Sequence, residues 1–277
     1  MRHATWLKME TSPFWHGLYC NYRRLPDSVR APVRTLLQPR WYIANYAIRK
    51  ASRRRVLAGP FRGMTLNLSP LSQRYMVGYI LGTMELELHG VLDRIIARGY
   101  RSIVNVGAAD GFYAVGLALR MPTARVEAFE MQSALHPVIM QTARTNGVAD
   151  RITIRGLCGP SELREALRET PAPRLVLMDA EGAERDLLDP ERVPELAGAD
   201  VLAESHDVFV PGITETLIQR FQASHDIERY SSRPRVLSDF PENFLPALPR
   251  LCPGLALDLM DERRAGVQQW LYLGAKQ

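Results

Sequence analysis

Two short stretches in the second half of the chain carry side chains suited to acid–base or metal chemistry. Asp179-Ala-Glu-Gly-Ala-Glu184 follows the apolar run Leu175–Met178, and Glu204-Ser-His-Asp207 follows the apolar run Val201–Ala203. Ligands of open α/β sheets bind at the carboxyl ends of the strands, so the polar groups of both stretches should meet there. We predict three catalytic residues in this cluster: Asp179, His206 and Asp207.

This cluster could act on a hydroxyl group in two ways. His206 could remove the proton as a general base, with Asp207 or Asp179 orienting its ring. Alternatively, the carboxylates of Asp179, Glu181, Glu204 and Asp207, together with His206, could bind Mg²⁺. The spacing Glu-Ser-His-Asp matches no established metal-binding signature. We therefore favour the metal-free base and predict no metal site.

A glycine turn earlier in the chain predicts a ligand-binding loop. The apolar run Ile103–Val106 indicates a buried strand, Gly107 and Gly111 bracket a turn, and helical spacing follows. Such a turn brings backbone N–H groups and a helix N-terminus close to a ligand. A dinucleotide fingerprint is not present, because Ala109 and Phe112 stand where its second and third glycines would be. The four-residue step between the glycines resembles the first motif of class I methyltransferases that use S-adenosylmethionine (SAM).

A second predicted strand, Arg125–Glu130, ends in an acid. In a doubly wound sheet the strand after the glycine turn lies beside the first one. Its terminal carboxylate can then accept hydrogen bonds from both hydroxyl groups of a ribose. An acid that merely solvates a strand end is the alternative, and the spacing after the glycine turn favours the ribose role for Glu130.

Together, Asn105–Tyr113, Glu130 and Asp179–Glu184 resemble the FkbM family of SAM-dependent methyltransferases. The resemblance covers about residues 60 to 277 and implies SAM as the cofactor and hydroxyl oxygens, often of sugars or natural products, as acceptors. Asn105 departs from the acid that usually holds the SAM amino group, and Asp110 is close enough in sequence to compensate. The residues predicted to bind the cofactor are Asn105, Gly107, Ala108, Asp110, Gly111, Glu130 and Met131.

The predicted activity is methylation of a hydroxyl group on a sugar, a glycan or a small molecule resembling a natural product. The loop after the fourth strand lacks the Asn-Pro-Pro-Tyr turn that suits amino groups, which favours oxygen as the acceptor. A catalytically silent SAM-fold module that docks a partner through a basic N-terminus is one alternative. A nucleic-acid methyltransferase is another. The acidic body argues against nucleic acid as a partner.

The element pattern predicts an α/β fold of the Rossmann-like class I methyltransferase type. We expect a seven-stranded, mostly parallel sheet whose last two strands, 227–230 and 269–273, form a late antiparallel hairpin. A hairpin over 55–68 and a helix over 71–98 should precede the first strand. Residues 233–265 hold five prolines and no long periodic element, which indicates a lid or a specificity insertion.

Charge is distributed unevenly along the 277 residues, whose net charge is +5. Residues 1–60 hold 12 basic and two acidic residues, whereas the remainder is mildly acidic. We therefore predict a basic helical segment over residues 1–58 and a methyltransferase domain over residues 59–277. No secretory signal or membrane-spanning run is evident, and the three cysteines indicate neither disulfides nor a metal site. We expect a cytoplasmic protein, and the sequence is compatible with oligomerisation.

The basic segment predicts two helices, one from Asp27 and one over Trp41–Arg55. The second could lie on an anionic membrane as a basic amphipathic helix. It could equally be a packing helix with a solvated basic end. We favour the packing role.

Overall fold

The computed structural model describes residues 38–67, 69, 76–262, 264 and 266–276. The chain divides into two compact units, residues 1–50 and 51–277, and each is described on its own. The first 37 residues of the predicted basic segment, including the start of the helix predicted from Asp27, lie outside the described residues. The predicted domain boundary after residue 58 stays a prediction.

Helix α1 runs over Pro39–Ala51, and all of it except Ala51 belongs to the first unit. It ends four residues before the predicted Arg55. Arg53 and Arg54 have φ angles of 54° and 59°, which an α-helix cannot accommodate. No helix among the described residues is long and apolar enough to cross a membrane.

Within the described part of the second unit, seven strands form one sheet in the order β3-β2-β1-β4-β5-β7-β6. Strands β1 to β5 pair in parallel, and β7 lies antiparallel between β5 and β6. This order and the late antiparallel pair confirm the predicted fold class. The strands are β1 Ser102–Val106, β2 Arg125–Phe129, β3 Ile152–Arg155, β4 Arg174–Met178, β5 Ala199–Ser205, β6 His225–Ser231 and β7 Gln269–Ala275.

Helices connect the strands and cover both faces of the sheet. In this unit they are α2 Met76–Leu81, α3 His89–Arg98, α4 Phe112–Arg120, α5 His136–Thr145, α6 Pro160–Glu169, α7 Glu184–Leu187, α8 Ile213–Phe221, α9 Leu248–Leu251 and α10 Pro253–Met260. The strands β1, β4 and β5 are buried along almost their whole length, as expected for central parallel strands.

Three predicted elements differ from the structure. The helix predicted over 71–98 is interrupted between α2 and α3 by a turn at Gly82, where a Cβ would lie 2.3 Å from the Ala58 carbonyl oxygen. The predicted hairpin is present as a short antiparallel pairing without regular strands, with a bridge between Arg55 and Thr65 and backbone hydrogen bonds on both sides of it. The predicted lid region contains α9 and α10, and its residues Ala256, Leu259 and Met260 are buried.

Candidate active site

The glycine loop between β1 and α4 lies against the loop that follows β4. Gly107 has φ +78°, and a Cβ there would come within 1.8 Å of the Asp179 carbonyl oxygen. Gly111, with φ +84°, is the N-cap of α4, and Ala109 also has a positive φ of 47°. Only glycine fits at position 107, because any side chain would force the two loops apart. The loop predicted to bind a cofactor therefore lies next to the loop predicted to be catalytic.

Two buried side-chain oxygens near this loop have no hydrogen-bond partner within the described residues. They are Oδ1 of Asn105, at the end of β1, and Oδ2 of Asp110, in the loop. The amide nitrogen of Asn105 donates to the Leu177 carbonyl (3.4 Å), and Oδ1 of Asp110 accepts from the Ser69 N–H (3.2 Å). Unpaired buried acceptors are costly, and each of these oxygens could accept a hydrogen bond from a ligand donor.

Glu130 stands at the end of β2 with its carboxylate fixed against the glycine loop. Its Oε2 accepts from the Ala109 N–H and its Oε1 from the Gln132 N–H, each at 2.8 Å. Each carboxylate oxygen retains acceptor capacity for a further donor. Ala108 is buried, and its N–H donates to the Phe129 carbonyl (3.0 Å). The geometry thus leaves Glu130 able to bind ligand hydroxyl groups.

Two large apolar side chains are exposed just beyond the carboxyl ends of β2 and β3. Met131 follows β2, Leu157 follows β3, and each is 73% exposed. The register pairs Phe129 with Arg155, so both residues lie two positions beyond the paired strand ends. They provide apolar surface for a flat ligand group. Leu157 was not predicted, although its place after the third strand was the signal that could have found it.

The loop after β4 folds around the carboxylate of Glu184, which is fully buried. Its oxygens accept from the N–H groups of Ala180 (3.0 Å) and Gly182 (2.8 Å). Oε1 also contacts Nδ1 of His206 at 2.9 Å. Because a carboxylate can only accept, Nδ1 of His206 must carry a proton. Glu184 therefore fixes both the loop and the histidine ring.

Nε2 of His206 faces two further carboxylates, Asp179 Oδ1 at 3.4 Å and Glu204 Oε2 at 3.6 Å. These three residues could hold a metal ion. An unprotonated Nε2 would direct its lone pair at two acceptors, so the triangle requires a shared proton or a cation. Both interpretations of the sequence, a general base and a divalent cation site, are compatible with this geometry.

The pKa values in this triangle are shifted toward the protonated forms. Burial lowers the pKa of His206, but the hydrogen bond to Glu184 and the charges of Glu184 and Asp179 outweigh it and raise the pKa overall. Burial raises the pKa of Asp179, partly offset by His206. Burial and the charge of Asp179 raise the pKa of Glu204 to about 9 against the opposing Arg264. Glu204 therefore retains its proton at neutral pH.

Asp207 does not orient the His206 ring. Its Oδ1 accepts from the Gly212 N–H (3.0 Å) and its Oδ2 from the Thr214 hydroxyl, at the start of α8. Asp207 thus stabilises the turn after β5, and the acid that contacts the ring at Nδ1 is Glu184. Glu181, which the Mg²⁺ alternative included among its candidate ligands, is exposed.

Arg264 joins the lid region to the sheet edge. Its guanidinium forms ion pairs with Glu85, with Glu204 at 2.5 Å and with Glu262 at 2.6 Å. The Tyr113 hydroxyl, next to the glycine loop, also donates to Glu85. Burial raises the pKa of Glu85 to about 7, although Arg264 opposes the shift. This buried ion network was not predicted.

Comparison with known proteins gives structural similarity without sequence similarity. No protein-family model matches the chain, and no curated protein matches it. An O-methyltransferase from Bacillus cereus, solved with SAH, is 14% identical over 76% of this chain and 83% of its own, with a TM-score of 0.45. TomG from Streptomyces achromogenes, an O-methyltransferase of tomaymycin synthesis solved with SAM, is 16% identical over 76% and 92%, with a TM-score of 0.44. The C-terminal domain of precorrin-6Y C5,15-methyltransferase from Rhodobacter capsulatus is 16% identical over 65% and 82%, with a TM-score of 0.39.

Proposed function

We propose that the chain is a SAM-dependent methyltransferase that acts on a hydroxyl group of a sugar, a glycan or a small molecule resembling a natural product. The acceptor class follows from the resemblance of its motifs to the FkbM family. The observation that best supports SAM as the cofactor is the pair of unsatisfied buried oxygens, Asn105 Oδ1 and Asp110 Oδ2, beside the glycine loop. The positively charged amino group of SAM could donate a hydrogen bond to these oxygens.

The other residues around the glycine loop fit the remaining groups of SAM. Glu130 would hold the ribose hydroxyl groups, since its carboxylate is already fixed by two backbone N–H groups. Met131 and Leu157 would contact the two sides of the adenine ring with their exposed apolar surface. Gly107 and Gly111 allow the backbone to approach the ligand closely. When bound, SAM supplies a methyl group already activated by the neighbouring sulfonium.

The protein's own contribution is alignment of the acceptor and removal of its proton. The close approach of Gly107 to the Asp179 carbonyl oxygen supports a position of the triangle of Asp179, Glu204 and His206 beside the proposed cofactor loop. A hydroxyl group bound there can pass its proton to the triangle, while Glu184 keeps the histidine ring in place. Phe209 stacks on this ring, with centroids 5.6 Å apart, and is 60% exposed. It offers an apolar face to the body of an acceptor.

Calorimetric titration with SAM tests the cofactor assignment. The change is Glu130→Ala, with Glu169→Ala on the exposed side of α6 as the control. Losing hydrogen bonds to a charged group should weaken SAM binding by about 1.5–3 kcal/mol, and the control should bind like wild type. Unchanged affinity in a folded Glu130→Ala variant would refute the ribose assignment. Failure of the wild-type protein to bind SAM would refute the function and favour a silent binding module.

A transfer assay separates the two chemistries of the triangle. Transfer of a labelled methyl group from SAM to a panel of glycosides and phenols would be measured for the wild-type protein before and after EDTA treatment. The same assay would be run on the His206→Ala variant. We favour the metal-free base, for which activity survives EDTA and is lost in His206→Ala. Activity that EDTA abolishes and Mg²⁺ restores would instead assign Asp179, Glu204 and His206 as metal ligands.

A further inference from the structure

One face of helix α1 combines exposed apolar and exposed basic side chains. Arg40, Ile43, Tyr46 and Lys50 recur at intervals of three or four residues and are all exposed. Ile43 is 69% exposed and Tyr46 is 66% exposed. The residues buried in this helix, Trp41, Asn45 and Ile48, follow a second stripe. A helix whose only role is packing would not be expected to leave Ile43 and Tyr46 in water on the same stripe.

The basic residues of this face are Arg40 and Lys50, and neither forms an ion pair within the part of the chain that the structure describes. The exposed Arg53 and Arg54 follow directly after the helix. The first 60 residues hold only two acidic side chains, Glu10 and Asp27. The face therefore presents uncompensated positive charge on both sides of an apolar centre.

We propose that α1 docks this face onto the surface of an anionic lipid bilayer. Ile43 and Tyr46 enter the boundary between headgroups and acyl chains, and Arg40 and Lys50 contact lipid phosphates. Tyrosine suits that depth because its ring is apolar and its hydroxyl stays hydrated. Large apolar residues between basic side chains on one face favour a lipid surface. A nucleic-acid backbone would require only the basic side chains. The proposal is independent of the methyltransferase activity.

Vesicle co-sedimentation of the full chain tests the proposal. The probes are phosphatidylcholine vesicles with and without 30% phosphatidylglycerol, at about 50 mM and about 500 mM salt. We expect retention on the anionic vesicles at low salt and release at high salt. Arg40→Gln with Lys50→Gln should lower the partition coefficient about 25-fold, because each basic side chain near an anionic membrane raises that coefficient about fivefold. The matched control, Arg125→Gln with Arg144→Gln, removes the same charge from the other unit and should bind like wild type.

The apolar centre is tested separately. Ile43→Ser with Tyr46→Ser should lower the partition coefficient at least about tenfold without changing net charge. Leu251→Ser, on the 79% exposed Leu251 of α9, should leave it unchanged. The proposal is wrong if wild type is not retained, if retention ignores lipid charge, or if either α1 double variant binds like its control. Because all these substitutions are at exposed positions, circular dichroism should show unchanged folding.

Discussion

Replacing Glu184 by Gln should lower the pKa of His206. In the structure, burial opposes protonation of the ring, and the hydrogen bond from Nδ1 to Glu184 at 2.9 Å is the main factor that reverses this. A hydrogen bond to a charged partner contributes about 1.5–3 kcal/mol, which corresponds to about 1–2 pH units. The wild-type ring should therefore titrate above 6.5, and the Glu184→Gln ring should titrate about 1–2 units lower.

The titration can be followed without knowing the acceptor. The chain has six histidines, so the ring signals in a carbon–proton NMR spectrum are few, and His206→Gln would identify the relevant one. EDTA in the sample removes any bound cation. Asp207→Asn is the control, because the Asp207 carboxylate bonds to Gly212 and Thr214 and not to the ring. An unchanged pKa in Glu184→Gln, or a larger fall in the control, would refute the assignment of Glu184 as the orienting acid.

Two further predictions concern stability. Gly107→Ala should cost about 2–4 kcal/mol in urea unfolding, because its Cβ would meet the Asp179 carbonyl oxygen. Gly147→Ala, with φ +70° and open space around it, should cost only about 1 kcal/mol, and equal losses would contradict the steric argument. The free energy of unfolding should also fall between pH 4.5 and about 9, because burial raises the pKa of Glu204 from 4.5 to about 9. In that range the unfolded state has lost this proton, whereas the folded state still holds it. Glu204→Gln should flatten this decline between pH 6 and pH 9; a slope that matches wild type would count against it.

The sequence predicted the sheet because its parallel strands are buried on both faces and therefore read as continuous apolar runs. Residues 233–265 contain two short helices that the sequence did not predict. Pro249 and Pro253 lie in the first turns of α9 and α10, where the missing N–H costs nothing. The short periodic stretches that follow them are too brief to stand out against the rest of that segment.

Side-chain partners at the site were harder to predict than strands. The sequence predicted that Asp207 or Asp179 orients the His206 ring, yet Asp207 begins the turn after β5 and bonds to Gly212 and Thr214. Glu184 reaches the ring from a different loop, 22 residues earlier in the chain. Arg264 meets Glu85 across 179 residues. Such contacts depend on how the strands are ordered in space, which no local pattern encodes.

The position of β7 has a consequence for the order in which the protein can assemble. β7 is the last strand in the sequence, yet it lies inside the sheet, and β6 has β7 as its neighbour there. During synthesis, domains generally fold from the N-terminal side as the chain emerges. Strands β1 to β5 can pair in that order, but β6 must wait beside an open edge of β5 until β7 has been made. The nascent chain therefore carries an unpaired edge until β7 has emerged, which is the stage at which a chaperone would protect it.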